Sequence, residues 1–109
     1  MDQQTASLSA LCQALIAHDT CATVVLDADQ RVIACNAAAR LAFDLGAPAV
    51  LGGPFTGSGL ARGAPAVVAS METLRAEGGA RPVRVETPAG PVSIAPLHLE
   101  QRLAGFVVR

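Results

Sequence analysis

Apolar positions along this chain fall into helix-period and strand-period stretches in a definite order. In residues 7–18, SLSALCQALIAH, Leu8, Leu11, Cys12, Leu15 and Ile16 recur at i, i+3, i+4, i+7 and i+8, which draws one apolar stripe along a helix. Thr5 or Ser7 can cap its start with a side-chain oxygen, and Asp19 and Thr20 end it. Residues 22–27 (ATVVLD) read as a strand rich in β-branched side chains. Residues 28–30 (ADQ) are a polar turn and 31–35 (RVIAC) the returning strand, so the two form a hairpin. Asn36 is a favoured N-cap for a helix over residues 37–45, which Gly46 and Pro48 stop. Residues 46–63 hold six Gly and two Pro and predict a loop, with one short helical turn near 49–51. Residues 65–77 (PAVVASMETLRAE) predict a longer helix, with Pro65 in its first turn, Gly78 and Gly79 at its end, and Val67, Val68, Met71 and Leu74 on its apolar side.

Three strands close the chain, over residues 82–87, 91–99 and 103–108. Val83 and Val85 alternate with Arg84 and Glu86, the period of a half-buried strand. PAG at 88–90 and EQR at 100–102 are tight turns, so these strands run as consecutive antiparallel hairpins. Strands at both ends with helices between them predict an α+β fold, a five-stranded antiparallel sheet with helices on one face and an amphipathic N-terminal helix. Residues 1–19 carry that leading helix, and residues 20–109 the globular domain.

Composition narrows the picture. A length of 109 residues, 51% of them apolar, fits one domain with a real core and excludes a disordered chain. The only aromatic residues are Phe43, Phe55 and Phe106, so Val, Leu, Ile and Ala must fill the interior with small side chains. The net charge is −1 and the eight positive residues, all Arg, are scattered. Nucleic-acid binding through this segment needs a clustered positive surface that is not there. No apolar run is long enough to span a membrane, and MDQQTAS is unlike a signal peptide. A cytoplasmic location is expected. Cys12, Cys21 and Cys35 are odd in number and lack CxxC spacing, so reduced thiols are expected in place of a disulfide framework.

The segment VVLDADQRVIACNAAARLAFDL, residues 24–45, resembles the opening of a PAS domain: an apolar strand ending in Asp27, a polar turn, a second strand through Val32 and Ile33, then Asn36 and the Ala-rich start of a helix at Ala37–Ala39. The closing three-strand meander is similar to that family too, and the resemblance covers residues 20–109. Gln30 departs from it, standing in a turn where the family commonly has Gly. The loop at 46–63 departs as well, lacking the usual aromatic and charged residues. Asp27 and Asn36 flank the first hairpin, where their side chains can tie the strand ends to backbone amides.

The resemblance implies a bacterial sensory and dimerisation module in signal transduction, most simply the input domain of a sensor histidine kinase. Input to a helix-turn-helix transcription regulator, or a stand-alone ligand-free interaction module, are the alternatives. It also implies a partner kinase or similar output, and a homodimer to which the leading helix contributes Leu8, Leu11, Leu15 and Ile16. Packing of that stripe on its own domain stays open. A ligand would lie between the 65–77 helix and the sheet, lined by Val68, Met71, Val85, Ile94 and Phe106.

Cofactors are not evident. Haem is disfavoured because the 65–77 helix has no histidine, the only two being His18 and His98. Covalent flavin is disfavoured because Cys35-Asn36 reverses the light-sensing motif and ends a strand. No spacing fits a metal site, and GGPFTGSG at 52–59 has no Lys and is not a phosphate loop. With no constellation placed for nucleophilic or acid–base work, the chain is expected not to be an enzyme.

Overall fold

The computed structural model describes residues 3–45, 52–88 and 90–109, the side chains of 3–6 and 8 excepted. In chain order its elements are α1 (Gln3–Ile16), β1 (Val24–Asp27), β2 (Val32–Cys35), α2 (Ala37–Ala42), a 3-10 turn (Phe55–Gly57), α3 (Gly59–Gly63), α4 (Pro65–Glu77), β3 (Val83–Thr87), β4 (Gly90–Leu99) and β5 (Arg102–Val108). The five strands make one antiparallel sheet in the order β2-β1-β5-β4-β3. β1, from the start of the chain, thus lies against β5, from its end. α2, α3 and α4 cover one face and α1 the other.

Three expectations need correcting. The first helix runs over Gln3–Ile16, four residues earlier than predicted, so Ser7 is inside it and not a cap. α2 ends at Ala42, not at 45: the Phe43 N–H closes on the Ala39 carbonyl and Asp44 turns to φ 50. The proposed stops Gly46 and Pro48, and the helical turn near 49–51, lie outside the described residues. The 46–63 stretch, read as loop, contains α3. Its N-cap is Ser58, whose hydroxyl accepts the Ala61 N–H at 3.1 Å, and burial of Leu60 and Ala61 holds it in place.

The two faces of the sheet differ in composition because of where the register breaks. Leu26 pairs with Val32 but Val25 pairs with Ala34, which leaves Ile33 as an extra residue on β2. This bulge puts both Ile33 and Ala34 on the α1 side. On the α4 side lies the main core, in which all three phenylalanines are buried among Val, Leu, Ile and Ala. β4 tolerates two prolines because neither needs a ladder bond on both sides. Pro91 lies beyond the reach of β5, which starts pairing at Ile94, and Pro96 lies beyond β3. Glu100 and Gln101 join β4 to β5, both with positive φ, the conformation of a two-residue hairpin turn.

Candidate functional site

Alternation along β3, β4 and β5 sends Val85, Ile94 and Phe106 to one face, and the 3.6-residue period of α4 brings Val68 and Met71 down onto them. The structure therefore places the five pocket candidates together. Met71, Ile94 and Phe106 have no exposed surface, Val85 is buried and Val68 packs at the margin. Clefts lined by described residues lie at the rim of this core. One of about 190 Å³ is bounded by Phe43, Asp44, Gly59, Leu60 and Pro88, among others.

Gln30 lies in the β1–β2 turn. It is buried, at 6% exposure, with φ 63, a left-handed conformation that costs a side-chain-bearing residue about 1 kcal/mol. Tertiary bonds hold it there. Its Nε2 donates to Glu72 Oε1 of α4 at 2.7 Å, and its carbonyl accepts the Phe55 N–H at 2.8 Å. Asp27 shapes the same turn, Oδ1 accepting the Asp29 and Arg31 N–H groups at 2.9 Å each. The β1–β2 turn is thereby tied to α4, a link no local signal announces.

Asn36 joins more elements than a cap does. Its Oδ1 accepts from Ala39 N at 2.9 Å and from Thr23 N at 3.1 Å. Its Nδ2 donates to the carbonyls of Cys21 at 2.7 Å, Asp19 at 3.1 Å and Ile16 at 3.4 Å. One buried amide thus fastens the end of α1, the approach to β1, the end of β2 and the start of α2. Asp19 beside it pairs with Arg109 at 2.7 Å, so the exit from β5 meets the end of α1.

α1 is oriented differently from the way its leucines predict. The face turned to the sheet is Ser9, Cys12, Gln13 and Ile16, at i, i+3, i+4 and i+7. Cys12 and Ile16 pack on Val25, Ile33 and Ala34. Gln13 brackets Cys35 as a strand would: its Nε2 donates to the Cys35 carbonyl at 2.8 Å and its Oε1 accepts the Cys35 N–H at 3.1 Å. The Ser9 hydroxyl donates to the Ile33 carbonyl. Of the four interface candidates, Leu11 and Leu15 are 59% and 73% exposed. Ile16 faces the sheet of its own chain, and the Leu8 side chain lies outside the described residues. Ser9 and Gln13 escaped the sequence reading. Their i, i+4 spacing beside Cys12 and Ile16 was the available signal.

His18 and His98 are both exposed, just past the end of α1 and near the end of β4. Among the described residues no group of three or more His, Cys, Asp or Glu could hold a metal ion, and no helix is long and apolar enough to cross a membrane. The cysteines are free and sit at three depths: Cys21 exposed, Cys12 half-buried under α1, Cys35 in the core. Burial pushes the Cys12 thiol pKa up, away from the low-pKa state of a reactive thiol.

This architecture matches solved structures along almost its whole length. The PAS domain of BvgS from Bordetella pertussis superposes with a TM-score of 0.63 at 22% identity, over 94% of this chain and 83% of that one. A PAS domain from a two-component sensor histidine kinase superposes with a TM-score of 0.58 at 15% identity, over 98% of each chain. No protein-family model matches the sequence, and no curated protein matches it either. The strand order, the helical layer between β2 and β3, and these superpositions lead to one conclusion: this chain has the fold of a PAS domain.

Proposed function

We propose that the chain is a sensory and dimerisation module of a bacterial signal-transduction protein, cytoplasmic, acting as the input domain of a sensor histidine kinase. The observation that carries the dimerisation role is the leucine face of α1. Polar Ser9 and Gln13 fasten the helix to the sheet, which frees Leu11 and Leu15 to stand in solvent. A helix that turns its best apolar residues outward gains by burying them against a second copy. The kinase assignment rests on the shared fold, one of the two superposed structures being a PAS domain from a two-component sensor histidine kinase. The reading includes no catalytic step, no haem and no covalent flavin. Burial of Met71, Ile94 and Phe106 away from solvent supports a module whose signal passes through packing.

Light scattering on the intact chain and on Leu11→Ser/Leu15→Ser tests this. A dimer that the double variant reduces to monomer is the expected result, with stability unchanged to about 0.5 kcal/mol because both positions are exposed. A wild-type chain that stays monomeric at high concentration, or a variant that still dimerises as tightly, sinks the α1 interface. Native mass spectrometry of fresh protein addresses the cofactor. A mass above that of the bare chain, with absorbance beyond the protein band, would reject the cofactor-free reading.

A further inference from the structure

The two edges of the sheet are finished differently. On β2 the outward backbone groups have partners: the Val32 N–H donates to the Gly53 carbonyl at 2.9 Å and the Val32 carbonyl accepts the Gly52 N–H at 2.6 Å. Gln13 and Ser9 take up Cys35 and Ile33. β3, at the opposite end of the strand order, pairs with β4 alone. Among the described residues, nothing outside β4 bonds to the backbone of Val83, Arg84, Val85 or Glu86. Such an edge is a template for another strand. The space beside it is open too. A groove of about 270 Å³ separates it from α4, whose wall there includes the small residues Ala66, Ala69, Ser70 and Thr73.

Charges on an edge strand usually discourage pairing, but these are arranged to favour one pairing. Arg84 and Glu86 project from the face away from α4, on either side of Val85, with side chains 72% and 78% exposed. If two copies of β3 run antiparallel about a two-fold axis through Val85, Arg84 of each copy stands opposite Glu86 of the other. Val83 then stands opposite Thr87 on the α4 side. Centring the axis on Arg84 or on Glu86 would put like charges face to face, which destabilises a pair. The strand is therefore complementary to itself in this register. We propose that β3 is a self-association edge, at which a second copy of this chain adds its own β3 antiparallel about Val85 and continues the sheet. The edge lies at the far end of the strand order from the β2 strand that α1 clamps, so it stands independently of the α1 interface.

A charge-swap experiment on the full chain tests it by sedimentation velocity. It uses the wild-type strand, Arg84→Glu, Glu86→Arg, a 1:1 mixture of the two single variants, and the double variant, each also carrying Leu11→Ser and Leu15→Ser so that α1 does not contribute. Both charged residues are exposed, and circular dichroism checks that each variant is folded. Each single variant places two like-charge pairs across the axis and should self-associate at least about tenfold more weakly than the wild-type strand. In the mixture, a strand with carboxylates at both charged positions meets a strand with guanidinium groups at both. Every pair across the axis is then of opposite charge, so the mixture should recover the association, as should the double variant. Single variants that associate like the wild-type strand, a mixture no tighter than its components, or a wild-type strand that stays monomeric would each overturn the proposal.

Discussion

α4 and α1 cover opposite faces of one sheet, and different forces hold them there. α4 presses Val67, Met71 and Leu74 into the main core, where they meet Phe55, Ile94 and Phe106 with almost no surface left. Among its described side chains, α1 contributes Cys12 and Ile16 to a small second cluster, and Ser9 and Gln13 bond to the β2 backbone. Burial of a large apolar side chain stabilises by about 1.5–3 kcal/mol, a net hydrogen bond by about 1 kcal/mol. α4 therefore cannot leave without unfolding the domain, whereas α1 can lift from the sheet at the cost of a few bonds and a modest apolar patch. Local stability is not uniform across a structure, and weakly held elements open before the core does. Of the two helices, α1 is the more weakly held, and it is the one that carries the unburied leucines.

The comparison breaks most severely on the α4 side. Phe106→Ala empties the centre of the core and should cost about 3–5 kcal/mol, a large share of a small domain's stability, read as a lower urea midpoint. A loss under about 1 kcal/mol would mean the core is looser than its burial shows. Asn36→Ala comes next, because Asn36 is the joint that serves both sides. The change strands the Thr23 and Ala39 N–H groups and removes a helix cap, and should cost about 3 kcal/mol. Asn36→Asp retains the two acceptor contacts but turns a carboxylate toward three carbonyls. It should recover only part of the loss.

Gln13→Ala tests α1 directly. It removes both bonds to Cys35 and should weaken the docking of α1 by about 1–2 kcal/mol while leaving the core intact. The cysteines report this layer by layer, since Cys21 is exposed, Cys12 lies under α1 and Cys35 is in the core. In the wild type, thiol labelling should run Cys21, then Cys12, then Cys35. The variant should speed Cys12 roughly tenfold and leave Cys35 to global unfolding. Equal acceleration of Cys12 and Cys35 would show that α1 and the core open together, and the contrast between the helices would fail.

What was legible in the sequence follows the same division. The hairpin pairings β1–β2, β3–β4 and β4–β5 could be read because alternation in VRVE and the polar turns are local signals, whereas the β1–β5 pairing joins the two ends of the chain and has no local signal. The five residues named as the lining of a ligand site share one face because period-2 strands and a period-3.6 helix fix which side chains point the same way. α4 could be read because its apolar stripe is the stripe it buries. α1 could not be oriented, because the stripe its leucines draw is not the one the sheet needs: β2 is an edge strand, and Ser9 and Gln13 supply partners to its Ile33 and Cys35 backbone groups. α3 was missed because glycine at both its ends hides a helix that depends on Ser58 and on burial of Leu60. The Gln30–Glu72 and Asp19–Arg109 contacts join residues 42 and 90 positions apart, and nothing local to either partner marks them.

The smallest expected effect is one of pH, and it separates the two helices again. Burial under α1 raises the Cys12 thiol pKa above its ordinary value of 9.0. The undocked helix has the ordinary value. Well below about pH 9 both states keep the thiol protonated, and docking has its full strength. As pH rises from there through the raised pKa, the undocked state ionises first, so docking weakens. Raising the pH from about 8 to about 10 should therefore increase hydrogen exchange in α1, after correction for intrinsic rates, while α4 changes less. Cys12→Ala should abolish the extra sensitivity of α1. If α1 loosens equally in that variant, the pH effect arises elsewhere and Cys12 is only a packing residue on that face.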